Sequence, residues 1–222
     1  FGTDWLGRNM FYRTLTGLSM SILIGVLAAG VSAVMALILG ICAATLGKKV
    51  DSAISFAIDT VMGIPHILLL ILISYAMGKG LKGVIAGVAL THWTSLARLI
   101  RGEVMQLRES EYIQIAGKLG LGKWEIAKKH IVPHVLPQFI VGLVLLFPHA
   151  ILHESSITFL GFGLSTEQPA IGVILSESMR YLIMGKWWLA VFPGMMLVLT
   201  VVLFEKGGTA LRQLLDPGSV HK

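Results

Sequence analysis

Long apolar segments constrain the fold of this chain more than any other feature of its sequence. Each is close to or longer than the roughly 20 residues that a helix needs to cross the hydrocarbon core of a bilayer. The segments cover residues 18–46, 52–78, 83–105, 135–153 and 187–205. Because lipid offers no hydrogen bonds to the backbone, segments of this kind cross a membrane as helices. The sequence therefore predicts an all-α polytopic membrane protein with about five transmembrane helices.

Composition and charge agree with a membrane protein. Only 14% of the 222 residues are charged and 55% are hydrophobic, whereas about 25% charged residues is usual in soluble domains. The formal net charge of +6 comes from basic residues spread between the apolar segments, without the clustered basic and aromatic patch of a nucleic-acid binder. We therefore expect these residues to set the orientation in the membrane, and we expect no nucleic-acid partner.

The distribution of Lys and Arg predicts that orientation. If residues 106–134 face the cytoplasm, twelve of the 18 basic residues lie inside and six lie outside, as the positive-inside rule requires. The chain is then a multi-pass protein of the inner (plasma) membrane with an outward N-terminus and a cytoplasmic C-terminus. An outward N-terminus without a preceding span predicts that a first transmembrane helix is absent from this chain.

The apolar segments divide the chain into outer, membrane and inner regions. Residues 1–17 are expected to form an extracytoplasmic N-terminal segment, 18–205 the transmembrane domain and 206–222 a cytoplasmic tail. Residues 155–186 are too polar in their middle to span the membrane, so we expect them to pack at the outer surface or to re-enter partway. Pro65 lies inside the second span, where its missing N–H group should kink the helix.

A polar segment between the third and fourth spans contains GKLGLGK at residues 117–123. This matches the GxxxxGK of a phosphate-binding loop, in which a Ser or Thr follows the lysine and a strand precedes the loop. Here Trp124 follows Lys123, and the preceding residues have a helical pattern. The sequence therefore argues against a nucleotide site in this segment.

Residues 108–137 have the periodicity of two short amphipathic helices. The first apolar stripe contains Tyr112, Ile115, Ala116 and Leu119, and the second contains Trp124, Ala127 and Ile131. Gly120 and Gly122 are expected to break the helix between the stripes, and Pro133 and Pro137 are expected to end the second helix. The same pattern fits a helix pair that lies on the membrane surface, so the residues alone leave two interpretations open.

Five positions in EYIQIAGKLGLGKWEIAKKHIVPHVLP, residues 111–137, stand in the order of a known motif. They are Glu111, Ala116, Gly120, Ile131 and Pro137. They resemble the EAA loop of permease subunits in binding-protein-dependent ABC importers, whose general form is EAAxxxG followed by IxLP, although Tyr112 and Ile113 depart from it. FGTDWLGRNMFYRTLTG, SSITFLGFG and GGTALRQLLDP are similar to motifs of the dipeptide, oligopeptide and nickel branch, so the resemblance covers nearly the whole chain.

The resemblance implies the type I ABC importer permease fold, with a cytoplasmic coupling helix that sits in a groove on a separate ATPase. Tyr112, Leu119 and Trp124 are then anchors in that groove. Gly120 permits the bend, and Glu111 caps the helix or pairs with the ATPase. The implied partners are a second permease subunit in a heterodimer, cytoplasmic ATPase subunits and an extracytoplasmic substrate-binding protein. Because ATP and Mg²⁺ bind to the ATPase subunits, this chain is expected to be no enzyme and to hold no cofactor.

Polar side chains at the outer end of the fourth span are candidates for the translocation path, because such residues are costly inside a membrane. His149, His153 and Glu154 lie there, and His92 lies in the preceding span. The i, i+4 spacing places His149 and His153 on one helix face, where both imidazoles can contact one metal ion transiently. The same spacing fits hydrogen bonds between helices or a water-filled cavity.

The resemblance favours a nickel permease as the specific function. Nickel permeases of this branch are similar in having a histidine before tryptophan in the third helix and HxxxH ahead of the FLG loop. We therefore expect a path for nickel or another transition metal, free or chelated, and the alternative is a path for di- or oligopeptides. A stand-alone channel or secondary transporter is a different class, which the absence of a visible internal repeat disfavours.

Overall fold

Helices joined by short connections make up residues 2–215, which the computed structural model describes. The helices are α1 (Met10–Thr45), α2 (Lys48–Gly63), α3 (His66–Ala76), α4 (Gly80–Glu109), α5 (Glu111–Lys118), α6 (Lys123–Ile126), α7 (Val132–Phe159), α8 (Ile171–Leu182) and α9 (Trp188–Leu215), with a π-helical turn at Ala127–Ile131. Among these residues, four helical stretches are long and apolar enough to cross a membrane, and the bent pair of α2 and α3 makes a fifth. The predicted all-α polytopic fold is confirmed. Phe1 and residues 216–222, the end of the predicted tail, lie outside the described residues.

Close packing of α1 against α4 forms the most extensive contact between two helices in this part of the chain. The buried face of α1 is rich in small residues, which include Gly17, Ser21, Gly25, Ala28, Ala29, Ser32, Ala33, Ala36, Gly40, Ala43 and Ala44. Part of this face meets α7 and α8, and Gly40 meets α4. A Cβ atom added at Gly40 would lie 2.8 Å from the carbonyl oxygen of Ala97 and 3.0 Å from the side chain of Ile100. Helices in lipid associate through such close packing, because lipid removes the hydrophobic driving force between them.

The second span is broken where the sequence predicts a kink. Helices α2 and α3 form an angle of 101° at the break. Ile64 has an extended backbone, with φ −91° and ψ 137°, as expected for the residue before Pro65. On the α2 side of the break, the Arg101 guanidinium of α4 donates to the Asp51 carboxylate, with 2.7 Å between Nη2 and Oδ2. This ion pair fastens α2 to α4, while α3 leaves in a different direction.

A turn around Asp4 connects the N-terminus to the rest of the fold. The Asp4 carboxylate accepts hydrogen bonds from two backbone N–H groups at 2.9 Å and from Arg8 Nε at 2.6 Å. Burial by itself raises the pKa of Asp4, but these hydrogen bonds lower it by more, so its pKa lies below the ordinary value. Arg13 donates to both Asp4 and Glu177 of α8. Residues 10–17, predicted as part of a separate outer segment, belong to α1.

Proline does not end the second amphipathic helix, so this prediction is wrong. The chain is continuously helical from Trp124 to Phe159, through Pro133 and Pro137. Pro133 lies in the first turn of α7, and just before it the π-helical turn pairs each N–H group with a carbonyl five residues back. This wider turn accommodates a residue that has no N–H group to donate. Residues 206–215 of the predicted tail are likewise helical, since they form the end of α9.

The predicted outer segment, residues 155–186, contains the end of α7, a connection and α8. Helix α8 packs against α7 and α9, with Ile171 and Ile174 fully buried. Ser178 Oγ donates to the carbonyl oxygen of Leu189 in α9 at 2.8 Å. The segment is therefore a packed part of the helical domain.

Gly40→Ala should destabilise the protein, because the new methyl group meets backbone of α4 that cannot rotate away. We expect a cost of about 1–3 kcal/mol, as for other overpacked sites. Gly30→Ala is the matched control, since a Cβ atom there has no neighbour within 4 Å; it should leave stability unchanged or raise it slightly through helix propensity. The measurement is thermal unfolding of both purified variants in detergent. Equal melting temperatures for the two variants would contradict the described α1–α4 contact.

Candidate functional site

A cavity lies beside the break in the second span. Its volume is about 660 Å³, and it is lined by residues from 61–66, 91–95 and 146–153, which belong to the break and to α4 and α7. Pockets of roughly 300–1,000 Å³ are the usual size for small-molecule sites. The lining residues described here include no carboxylate, Lys or Arg side chain. Their polar groups are hydroxyls and imidazoles.

Three histidines from three different helices meet at this cavity. His66 is the first residue of α3, His92 lies in α4 and His153 lies in α7. Their ring centroids are 4.6–4.8 Å apart, and each pair of rings is inclined by 70–75°. One ring nitrogen of each lies within 4.8 Å of the others. We call His66, His92 and His153 the histidine cluster.

Hydrogen bonds fix the orientation of two rings in the cluster. His92 Nδ1 is 3.0 Å from the Val88 carbonyl oxygen, and His153 Nδ1 is 2.8 Å from the His149 carbonyl oxygen. Because a carbonyl oxygen only accepts, both Nδ1 atoms carry the proton when these rings are neutral, and both Nε2 atoms keep a lone pair. The rings also approach each other, with 3.2 Å between His92 Nε2 and His153 Nδ1.

The third ring has a nitrogen without such a bond. His66 Nε2 is buried, and the described part of the chain offers it no hydrogen-bond partner. Buried polar atoms are almost always hydrogen-bonded, so an exception needs an explanation. Since His66 lines the cavity, this nitrogen is available to a group that occupies it.

The predicted path residues occupy different places around the cavity. His92, His149 and His153 all line it, but His149 is exposed and stands outside the histidine cluster. Glu154 is fully buried and does not line the cavity. It accepts hydrogen bonds from Ser155 and Thr158. Consecutive residues on a helix point about 100° apart, so His153 and Glu154 face different neighbours.

The sequence singles out His66 as the residue that follows the Pro65 kink, but does not predict it as a path or metal residue. In the sequence it is marked by its position alone, since it follows Pro65 directly and begins α3. A bend of 101° at that point turns this residue towards α4 and α7, but no periodic pattern along the chain records that direction.

The second candidate region is the segment around α5. Its inner face consists of Ile113 and Ala116, which are buried. Tyr112 and Ile115 are exposed, while Leu119 and Trp124 are 78% and 81% exposed. The first predicted stripe is therefore divided, because Ala116 faces the protein and its apolar neighbours face outward. An outward row of large apolar side chains is typical of an interaction surface.

Glycine ends α5 as predicted. Gly120 has φ +89°, a left-handed conformation that side chains disfavour. Its N–H group donates to the Gly117 carbonyl at 3.1 Å, and the Leu121 N–H donates to the Ala116 carbonyl at 3.2 Å. These bonds close the helix end in the way that glycine caps do. Gly120 thus forms the elbow.

The remaining motif residues of this segment have other positions. Glu111 lies in the first turn of α5, where a carboxylate is favoured by the helix dipole. Gly122 is exposed, Ile131 is buried and Pro137 is partly buried. Ile131 and Pro137 therefore attach the segment to the helical domain, whereas Leu119 and Trp124 project from it.

Comparison with known proteins identifies relatives of the whole chain. Residues 36–219 match the family described as binding-protein-dependent transport system inner membrane component. The dipeptide transport system permease protein DppC of Bacillus subtilis is 34% identical over 217 residues, which cover 98% of this chain and 68% of the relative. The oligopeptide permease OppC of the same organism is also 34% identical, over 98% of this chain and 71% of the relative. The probable D,D-dipeptide permease DdpC of Escherichia coli is 31% identical, over 98% and 72%.

The fold is also similar to that of a solved transporter. A chain in inward-facing structures of the MetNI methionine ABC transporter superposes with a TM-score of 0.75, over 93% of this chain and 98% of that chain, at 16% identity. At this level of identity the likeness concerns the fold alone.

The cavity wall predicts which positions water-soluble reagents can reach. In a Cys42→Ala background, His149→Cys should react with a membrane-impermeant maleimide, because residue 149 is exposed at the cavity. Ile151→Cys is the control: it lies two residues along the same helix, is fully buried and should stay unlabelled until the protein is denatured. Labelling of the two variants is compared by gel shift. Equal labelling of both positions in the folded protein would refute the described cavity.

Proposed function

This chain belongs to the family of binding-protein-dependent transport system inner membrane components, and we propose that it forms one half of a translocation path for short peptides. It is a permease subunit of an ABC importer in the dipeptide and oligopeptide branch, a multi-pass protein of the inner membrane with the type I importer permease fold. The observation that carries the peptide proposal is its similarity, over 98% of the chain, to permeases named for dipeptides and oligopeptides.

The relatives reverse the order of the two predicted substrates. Nickel was the first expectation, from the positions of the histidines, and peptide import was the alternative. Permeases named for dipeptides, D,D-dipeptides and oligopeptides support the alternative better. In the proposal, a peptide delivered by an extracytoplasmic binding protein passes the cavity beside the broken span, where hydroxyls and imidazoles offer hydrogen bonds to its backbone.

The α5 region is the proposed contact with the ATPase. Leu119 and Trp124 are too exposed to contribute to packing within this chain, yet they lie next to a helix whose other face is buried. An amphipathic helix with apolar anchors of this kind fits into a groove on a partner. Glu111, Tyr112 and Gly120 complete the surface: the first two lie at the start of α5, and Gly120 sets the angle at which Leu119 and Trp124 follow.

The proposal includes an orientation and a set of partners. The α5 region and the C-terminus face the cytoplasm, since twelve of the 18 basic residues then lie inside, as the positive-inside rule requires. The turn at Asp4, joined to α8 by Arg13 and Glu177, faces outward, where the binding protein docks. A second permease subunit completes the path as a heterodimer, and ATPase subunits bind and hydrolyse ATP with Mg²⁺.

Substitution of the projecting anchors tests the coupling surface. Leu119→Asp and Trp124→Ala should each lower ATP-dependent peptide uptake by about tenfold or more, because anchor residues dominate interface energies. Gln114→Ala is the control on the same short helix; it is exposed and should retain uptake. Membrane insertion, followed by the amount of folded protein in isolated membranes, should be equal for all three. Normal uptake by both anchor variants would reject this contact with the ATPase.

Direct uptake measurements test the substrate. In cells that depend on this importer, a radiolabelled dipeptide or tripeptide should accumulate only when the chain is present, and unlabelled peptide should compete. Nickel uptake, measured with ⁶³Ni²⁺ in the same cells, serves as the comparison. Loss of nickel uptake on deletion of the chain, with peptide uptake intact, would restore the first expectation over the peptide proposal.

A further inference from the structure

We propose that the histidine cluster, His66, His92 and His153, binds a divalent transition-metal ion. Imidazole nitrogens suit nickel, copper and zinc better than calcium or magnesium. Three imidazoles leave at least one coordination position open for another ligand, and all three histidines line the cavity. The inference concerns binding by this chain and holds whichever substrate the importer carries.

The position of the rings is the first argument. Three side chains from three separate helices converge, with one nitrogen of each within 4.8 Å of the others. Nitrogens bound to one tetrahedral ion at the usual bond length are about 3.3 Å apart, so small ring rotations close the cluster onto an ion. The rings are steeply inclined to one another, at 70–75°. They therefore surround a point rather than stack.

The hydrogen bonds behind the rings are the second argument. Metal-binding histidines typically donate their other ring N–H to a carbonyl or carboxylate, which fixes the tautomer. His92 and His153 are held in this way through Nδ1 by the carbonyls of Val88 and His149. Their Nε2 atoms are consequently unprotonated in the neutral rings, as metal coordination requires. His92 Nε2 lies 3.2 Å from His153 Nδ1, so an ion that binds replaces this contact.

The unpaired nitrogen is the third argument, and it separates metal binding from simple packing. A hydrogen bond between helices would account for His92 and His153, since His153 Nδ1 lies 3.2 Å from His92 Nε2. It leaves His66 Nε2 buried without a described partner, and such an atom lowers stability. A bound ion satisfies all three rings at once.

Charge indicates how the ion is held. The described lining residues include no carboxylate, so the protein does not neutralise a divalent ion. Binding by imidazoles alone in a membrane-embedded site is weaker than in a closed site with anionic ligands. The site is therefore suited to reversible occupancy, with the open position available to water or to an electron-pair donor in the cavity.

Cobalt(II) titration of the full-length protein in detergent tests the inference, because cobalt bound by nitrogen ligands absorbs visible light. We expect about one ion per chain, displaced by Zn²⁺. His66→Ala, His92→Ala and His153→Ala should each weaken binding by about tenfold or more. His134→Ala is the control, since His134 is exposed near the start of α7 and lies outside the cavity; its affinity should equal that of the unaltered protein.

Further variants make each outcome decisive. Thermal unfolding identifies alanine variants that fail to fold. If His66→Ala is one of them, His66→Gln takes its place. Absence of cobalt absorbance in the unaltered protein, or unchanged affinity in folded His66 variants, would overturn the proposal. Loss of binding in His149→Ala but not in His66→Ala would assign the ion to the pair predicted from sequence and also reject the cluster. Since the titration measures binding and not uptake, its failure would leave the peptide proposal standing.

Discussion

The contact between α1 and α4 is the interaction on which the rest of the structure depends. Lipid gives these helices no hydrophobic reason to associate, so their affinity comes from close packing, as where Gly40 of α1 meets Ala97 and Ile100 of α4. Helix α7 packs against both of them, and α2 is attached to α4 by Asp51 and Arg101. The cavity lies where α4 and α7 of this frame meet the break in the second span.

The break in the second span lies beside the cavity in an otherwise packed helical bundle. The extended residues before α3 turn the chain by 101°, and His66 at the start of α3 lies against His92 and His153. Pro65 thus does more than kink a span. By turning the chain, it places His66 at the cavity, which is the proposed path of the peptide.

Some of this architecture was predictable from the sequence, because it depends on local patterns. Five spans, the sharp bend at Pro65 and the elbow at Gly120 all follow from apolar run length and from the backbone properties of proline and glycine. The continuation of the helix through Pro133 was not predictable. A π-helical turn can accommodate a residue without an N–H donor, and it leaves no recognisable pattern in the sequence. His66 in the cluster and the inward face of Ala116 also escaped prediction, because tertiary contacts decide which side of a short helix is covered.

The continuous helix from Trp124 to Phe159 has a mechanical consequence. At 1.5 Å per residue, about 44 Å separates Trp124 from His153, so the proposed ATPase contact and the cavity wall are two ends of one lever arm. In the proposed mechanism, a displacement of Trp124 by the ATPase reaches the cavity wall through this one helix, without an intervening loop. The points where this helix can bend are the π-helical turn with Pro133 and Pro137 near the Trp124 end and Pro148 beside the cavity, so a displacement at Trp124 can change the angle of the helix at both the proposed ATPase contact and the cavity wall.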